Sequence, residues 1–141
     1  MFSRILVPVD MSSPEPGIKS CVQARKMQED WDAKISLLSI VPGYSMPLVA
    51  GFFPADALEK MQQTVLGDLQ RIAEKYFETV PECHVRSGKR SQEILKFAND
   101  YQPDLIVFGC RPKDIAGGEL MLGSVGLSVA ERATCNVLIA R

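Results

Sequence analysis

The stretch Leu105-Ile106-Val107-Phe108-Gly109-Cys110-Arg111-Pro112-Lys113-Asp114-Ile115-Ala116-Gly117-Gly118-Glu119-Leu120-Met121-Leu122-Gly123-Ser124-Val125-Gly126 joins an unbroken apolar run to a glycine-rich loop, and then to Leu127–Ala133, which reads as a short helix. Apolar residues without alternation describe a strand buried on both faces, the kind found in parallel sheets covered on each side by helices. The loop places Arg111 and Lys113 among glycines, between a strand end and a helix start. Such a loop offers backbone N–H groups to an anion, phosphate first among them. The competing reading is a mobile surface connection with no ligand.

The same alternation extends upstream. Ile5-Leu6-Val7-Pro8-Val9 is a continuous apolar strand ending at Asp10, and Met11 to Pro16 is Ser- and Pro-rich punctuation. Pro8 sits near the strand's end, where a missing N–H is tolerated. Ile18, Cys21, Val22, Ala24 and Met27 then recur at helical spacing within Glu15–Trp31. Lys34–Val41 returns to strand. Pro42–Pro54 mixes prolines and glycines with large apolar residues and reads as a flap lying on the domain or on a partner. From Ala55 to about Thr79 an apolar stripe (Leu58, Met61, Val65, Leu69, Ile72, Tyr76) predicts the longest helix. Cys83–Ser87 is a short strand, Ser91–Tyr101 a helix stopped by Pro103, and Asn136–Ala140 the fifth strand.

Strands alternating with helices predict an α/β fold: a single domain whose open parallel sheet has helices on both faces. Its ligand would sit beyond the carboxyl ends of the strands, where the strand order reverses. The segments that follow strand ends are Asp10–Pro16, Val41–Gly43, Gly88–Ser91 and Gly109–Ser124. Asp10, Arg111, Lys113, Gly123 and Ser124 are the polar or phosphate-facing candidates among them.

Composition narrows the partners. Lys plus Arg (16) nearly balances Asp plus Glu (17), and there is no run of basic residues, so nucleic acid is not expected. The four cysteines are widely spaced and form no Cys-x-x-Cys pair, which argues against a zinc or redox motif and for a reduced compartment. The first residues pass directly into a strand, and no apolar run approaches the roughly 20 residues of a membrane span; a cytoplasmic protein is expected.

Several motifs fail on inspection. Gly118 to Ser124 has P-loop glycine spacing without the lysine, and Gly-x-Gly-x-x-Gly is absent after the first strand. Asp10 lacks the adjacent acidic residues of a metal-dependent phosphoacceptor. His84, the one histidine, has no nucleophile beside it in sequence, and Trp31 reads as a packing residue.

The motifs Ile5-Leu6-Val7-Pro8-Val9-Asp10, Gly109-Cys110-Arg111, Leu122-Gly123-Ser124-Val125 and Cys135-Asn136-Val137-Leu138-Ile139 together resemble the universal stress protein family over the whole chain, 1–141. The resemblance implies a Rossmann-like sheet of five strands in order 3-2-1-4-5, a homodimer formed through the fifth strand, and a stress-response role. Family members either bind ATP or do not. Binders carry Gly-x-x-Gly, nine residues, then Gly-Ser or Gly-Thr. Here Pro112 stands in the second glycine's place and ten residues, 113 to 122, precede Gly123-Ser124. Pro112 has no N–H to donate. Arg111 and Lys113 add cationic donors, while Gly126 replaces a residue that is often a hydroxyl.

Carried over by position, Pro8, Val9 and Asp10 would surround adenine and ribose, and Val41 would offer backbone contacts to the base. Gly109, Arg111 and Lys113 would border ribose and phosphates, with Gly123, Ser124 and Val125 at the phosphates of ATP and its Mg2+. The alternative role for Gly123-Ser124 is a helix N-cap. Two readings follow: an ATP-binding signalling module, or a member without nucleotide that acts through dimer and protein contacts. With no general base, nucleophile or metal-holding carboxylate pair in the motifs, hydrolysis would be slow at most.

Overall fold

Ile5 and Val7 lie in one apolar core and Leu6 in another, because the side chains of strand β1 (Arg4–Pro8) alternate between the faces of a sheet covered on both sides. All three are fully buried. Each such side chain contributes roughly 1.5–3 kcal/mol relative to exposure, so β1 is the natural centre of the fold. The computed structural model describes residues 1–43, 54–112 and 120–141.

In chain order β1 is followed by α1 (Glu15–Trp31), β2 (Lys34–Val41), α2 (Ala57–Tyr76), β3 (Glu82–Ser87), α3 (Arg90–Tyr101) and β4 (Leu105–Gly109). A two-residue ribbon, β5 (Arg111–Pro112) with β6 (Leu120–Met121), precedes α4 (Gly123–Arg132) and β7 (Asn136–Ala140). The five main strands form one sheet in the order β3-β2-β1-β4-β7, and every pairing is parallel. With β7 counted as the fifth strand, this is the expected 3-2-1-4-5.

Cys21, Ala24 and Met27 of α1, with Leu69 and Ala73 of α2, cover the face that Ile5 and Val7 present. Ile94 and Phe97 of α3, with Val129 of α4, cover the face of Leu6 and Ile106. Helix ends match their residues: α1 stops at Asp32 (φ 54°) and α3 at Gln102 (φ 55°), each closing its last turn with an N–H to the carbonyl four residues back. Pro103 then prevents α3 from continuing.

At the amino end of the sheet, the Asp104 carboxylate ties β4 to β1. It accepts hydrogen bonds from the Ser3 N–H (2.9 Å), the Ser3 hydroxyl (2.8 Å) and the Arg4 N–H (3.0 Å). Burial pushes this carboxyl up, but the hydrogen bonds from Ser3 and Arg4 outweigh it and hold it below its usual value. A depressed folded value means the stabilisation is complete above the unfolded carboxylate's range, near pH ~4, and is lost as pH falls through the folded value. Melting curves of the wild type and Asp104→Asn should therefore differ at about pH 6 and converge below about pH 4. A gap that persists unchanged in acid would contradict this.

The helix expected from Ala55 to about Thr79 is present as α2, and the structure adds how it packs and a ribbon at the ends of the glycine-rich loop. Of the α2 stripe only Leu69 is fully buried, and Met61 is 38% exposed. The C-terminal turns pack into the core, whereas the early turns run beside β3 and leave an open groove between Glu59, Gln62 and Leu66 and the strand. The ends of the glycine-rich loop are pinned by the β5–β6 ribbon, which pairs Pro112 with Leu120. A proline is tolerated there because a two-residue ribbon has few ladder bonds to lose.

Residues 44–53 of the expected flap, and 113–119 of the loop, lie outside the described residues. Trp31 packs edge-to-face on Phe2, with ring centroids 5.6 Å apart, and His84 is a residue of β3 whose ring lies against Phe97. All four cysteines are free thiols; burial pushes Cys21 up to about 12 and Cys83 up to about 11, with Cys21 further raised by Cys83 and Cys83 by Glu74. No helix among the described residues is long and apolar enough to cross a membrane.

Candidate functional site

From β1 the sheet grows through β2 to β3 on one side and through β4 to β7 on the other, so the connections leaving β1 and β4 diverge at their carboxyl ends. That is where an open parallel sheet has room for a ligand. A crevice lies there, enclosing about 630 Å³ of space including its open mouth. Pro8, Val9 and Asp10 of the β1 end, and Gly109 and Arg111 of the β4 end, form its floor. Leu38 and Ile40 of β2 supply an apolar wall; Arg90 and Ile94 of α3, with Leu122, Val125 and Gly126 around the start of α4, supply the rest.

Gly109 has a packing reason as well as a site position. A Cβ placed on it would fall 1.8 Å from the carbonyl oxygen and 2.3 Å from the carbonyl carbon of Pro16, both backbone atoms. The first turn of α1 thus rests directly on the end of β4, which is how Pro16 comes to line the crevice.

Gly123, the first residue of α4, adopts φ +81°, in the left-handed region. The N-cap position belongs to Leu122, and no side chain hydrogen-bonds to the helix start. The capping role considered for Ser124 is therefore corrected: Ser124 lies inside the first turn. The first N–H groups of α4 receive no side-chain cap, and they carry the positive end of the helix dipole.

The polar centre is Asp10. Its Oδ1 accepts from the Ser12 N–H (3.0 Å), the Ser12 hydroxyl (2.6 Å) and Arg90 Nη2 (3.1 Å). Its Oδ2 accepts from Arg111 Nη2 (3.2 Å) and pairs as an ion contact with Arg90 Nη1 (3.1 Å). Two guanidiniums on one carboxylate leave the crevice with a surplus positive charge. It therefore offers an apolar wall, a hydroxyl-accepting carboxylate and cationic donors, a set suited to a phosphorylated sugar bearing a flat apolar ring.

Of the residues singled out by sequence, Pro8, Val9, Asp10, Gly109, Arg111 and Val125 come together in this crevice. Gly123 and Ser124 are not among its lining residues, although Leu122 and Val125, which flank them in sequence, are. Val41 does not line it: it is buried at the end of β2, and its carbonyl accepts the Gly88 N–H at 3.0 Å. Lys113 lies outside the described residues. Arg90 was missed. It falls in the strand-end segment Gly88–Ser91, so the topological rule marked its neighbourhood, but an ordinary helix-start arginine carries no local signal.

Among the described residues no cluster of His, Cys, Asp or Glu is arranged to hold a metal ion.

The Universal stress protein family model matches residues 1–141. Universal stress protein G of Shigella flexneri is 31% identical over 147 aligned positions, covering 100% of both chains. Among solved structures, the universal stress protein of Archaeoglobus fulgidus in complex with dAMP superposes with a TM-score of 0.69 at 19% identity, covering 99% of this chain and 98% of that one. A universal stress protein family protein of Arabidopsis thaliana with AMP bound gives a TM-score of 0.55 at 19% identity, covering 97% and 90%. Likeness at this level of identity shows a shared fold.

Proposed function

The chain belongs to the universal stress protein family, and from that premise we propose that the crevice between β1 and β4 binds an adenine nucleotide. The observation that carries this reading is the surplus positive charge around Asp10 at the point where the strand order reverses. The dAMP and AMP held by the two structural neighbours support adenine as the base.

Asp10 accepts hydrogen bonds from the ribose hydroxyls. Pro8 and Val9, with Leu38 and Ile40, enclose the base, and Val41 stands behind them at the strand end. Gly109, Arg111, Gly123, Ser124 and Val125 approach the phosphates, joined by Lys113. ATP with Mg2+ is the fullest ligand of this set, and it supplies a compact, highly charged group that favours whichever protein surface accommodates it. The protein acts as a signalling module of the cytoplasm in a stress response, with hydrolysis slow at most. Strand β7 is an edge of the sheet, which supports a homodimer formed by pairing with a second copy.

Calorimetric titration with ATP and Mg2+ should give saturable heat with one site per chain and a micromolar Kd. No heat at millimolar ATP, together with no adenine nucleotide released when the purified protein is denatured, would pass the crevice to the other reading, a member acting through protein contacts alone.

A further inference from the structure

The guanidinium of Arg90 reaches across the crevice from the first residue of α3 to take Asp10 as a fork, with Nη2 on Oδ1 and Nη1 on Oδ2, both at 3.1 Å. Arg111 Nη2 and the two Ser12 donors also converge on the same carboxylate. Oδ1 thus takes three hydrogen bonds, and Oδ2 takes one from Arg111 with Arg90 Nη1 beside it at 3.1 Å. A ribose hydroxyl that bonds to Asp10 competes there with both guanidiniums.

Of the two arginines, Arg90 is the more enclosed, its side chain 37% exposed against 54% for Arg111. A guanidinium displaced inside a partly closed crevice needs a new anion. A phosphate matches its planar fork, and a nucleoside without phosphate provides nothing for it.

We infer that Arg90 is a specificity-determining residue whose fork passes from Asp10 to a phosphate of the ligand, so that the crevice selects nucleotides over nucleosides. The inference rests on the nucleotide-binding reading above. It adds a residue and a selection rule to that reading.

The test is calorimetry with AMP and with adenosine on the full chain, as wild type, Arg90→Gln and Arg90→Lys. Wild type should bind AMP about tenfold or more tighter than adenosine. Arg90→Gln should weaken AMP by about tenfold while adenosine binding holds or improves, because a competitor for Asp10 is gone. Arg90→Lys, which keeps the charge without the fork, should fall between, and it decides the matter if the glutamine variant does not fold. A merely structural arginine would shift both ligands together. An unchanged AMP-to-adenosine ratio in both variants, with wild-type AMP binding intact, overturns the role of Arg90 and leaves the nucleotide site standing. Failure of the wild type to bind either ligand removes both.

Discussion

Replacing Gly109 by alanine should lower folding stability by about 3 kcal/mol and the melting temperature by about 10 °C. The new methyl carbon would lie 1.8 Å from a backbone carbonyl oxygen, which no rotamer change can relieve. Relief requires the first turn of α1 to lift off β4, and that turn leads directly to Ser20, Cys21 and Ala24, all fully buried. The whole helix would shift or the strand end would bend. If Gly109 mattered only for approach to a ligand, the variant would melt like wild type and lose only binding. Thermal unfolding followed by circular dichroism separates the two, and a melting point within about 2 °C of wild type would refute the packing argument.

Asp10→Ala should weaken adenosine binding by about 10- to 100-fold, the range expected when an ionised partner is withdrawn from hydrogen-bonded hydroxyls. ATP should lose less than adenosine. The same substitution frees the guanidiniums of Arg90 and Arg111, now 3.1–3.2 Å from Asp10, to meet phosphates without first leaving a carboxylate. Both effects act on ATP with opposite signs, whereas only the loss acts on adenosine. Stability should change little, because the ion pairs are partly exposed and the Ser12 contacts are local. An ATP affinity that drops as far as adenosine's would show that the arginines stay away from the phosphates.

Much of the architecture was legible because its signals are local. α1 and β2 fall where hydrophobic periodicity puts them, and β1, β4 and β7 do so to within a residue, since a strand buried on both faces must be continuously apolar. The strand order came from family resemblance, and the structure agrees with it. Less legible was what depends on distant partners. The α2 stripe is apolar along its length, but how much of it is covered depends on where β3 and the core end, and Met61 remains exposed. The β5–β6 ribbon joins dipeptides with no strand pattern of their own. Arg90 and Asp10 are 80 residues apart, and only the packing of α3 against the sheet brings them together. Val41 shows the reverse case, a residue on the right strand that ends up behind the crevice wall with its carbonyl engaged by Gly88.

Whether a triphosphate occupies the crevice is decided residue by residue by titrating isotope-labelled protein with ATP and Mg2+ and following the backbone amides by NMR. The shifts should be largest at Val9, Asp10, Gly109, Arg111, Gly123, Ser124 and Val125, saturating together with the calorimetric heat. Unmoved amides at these positions in millimolar ATP, or shifts confined to the groove between α2 and β3 around Gln62 and His84, would place the ligand elsewhere or nowhere.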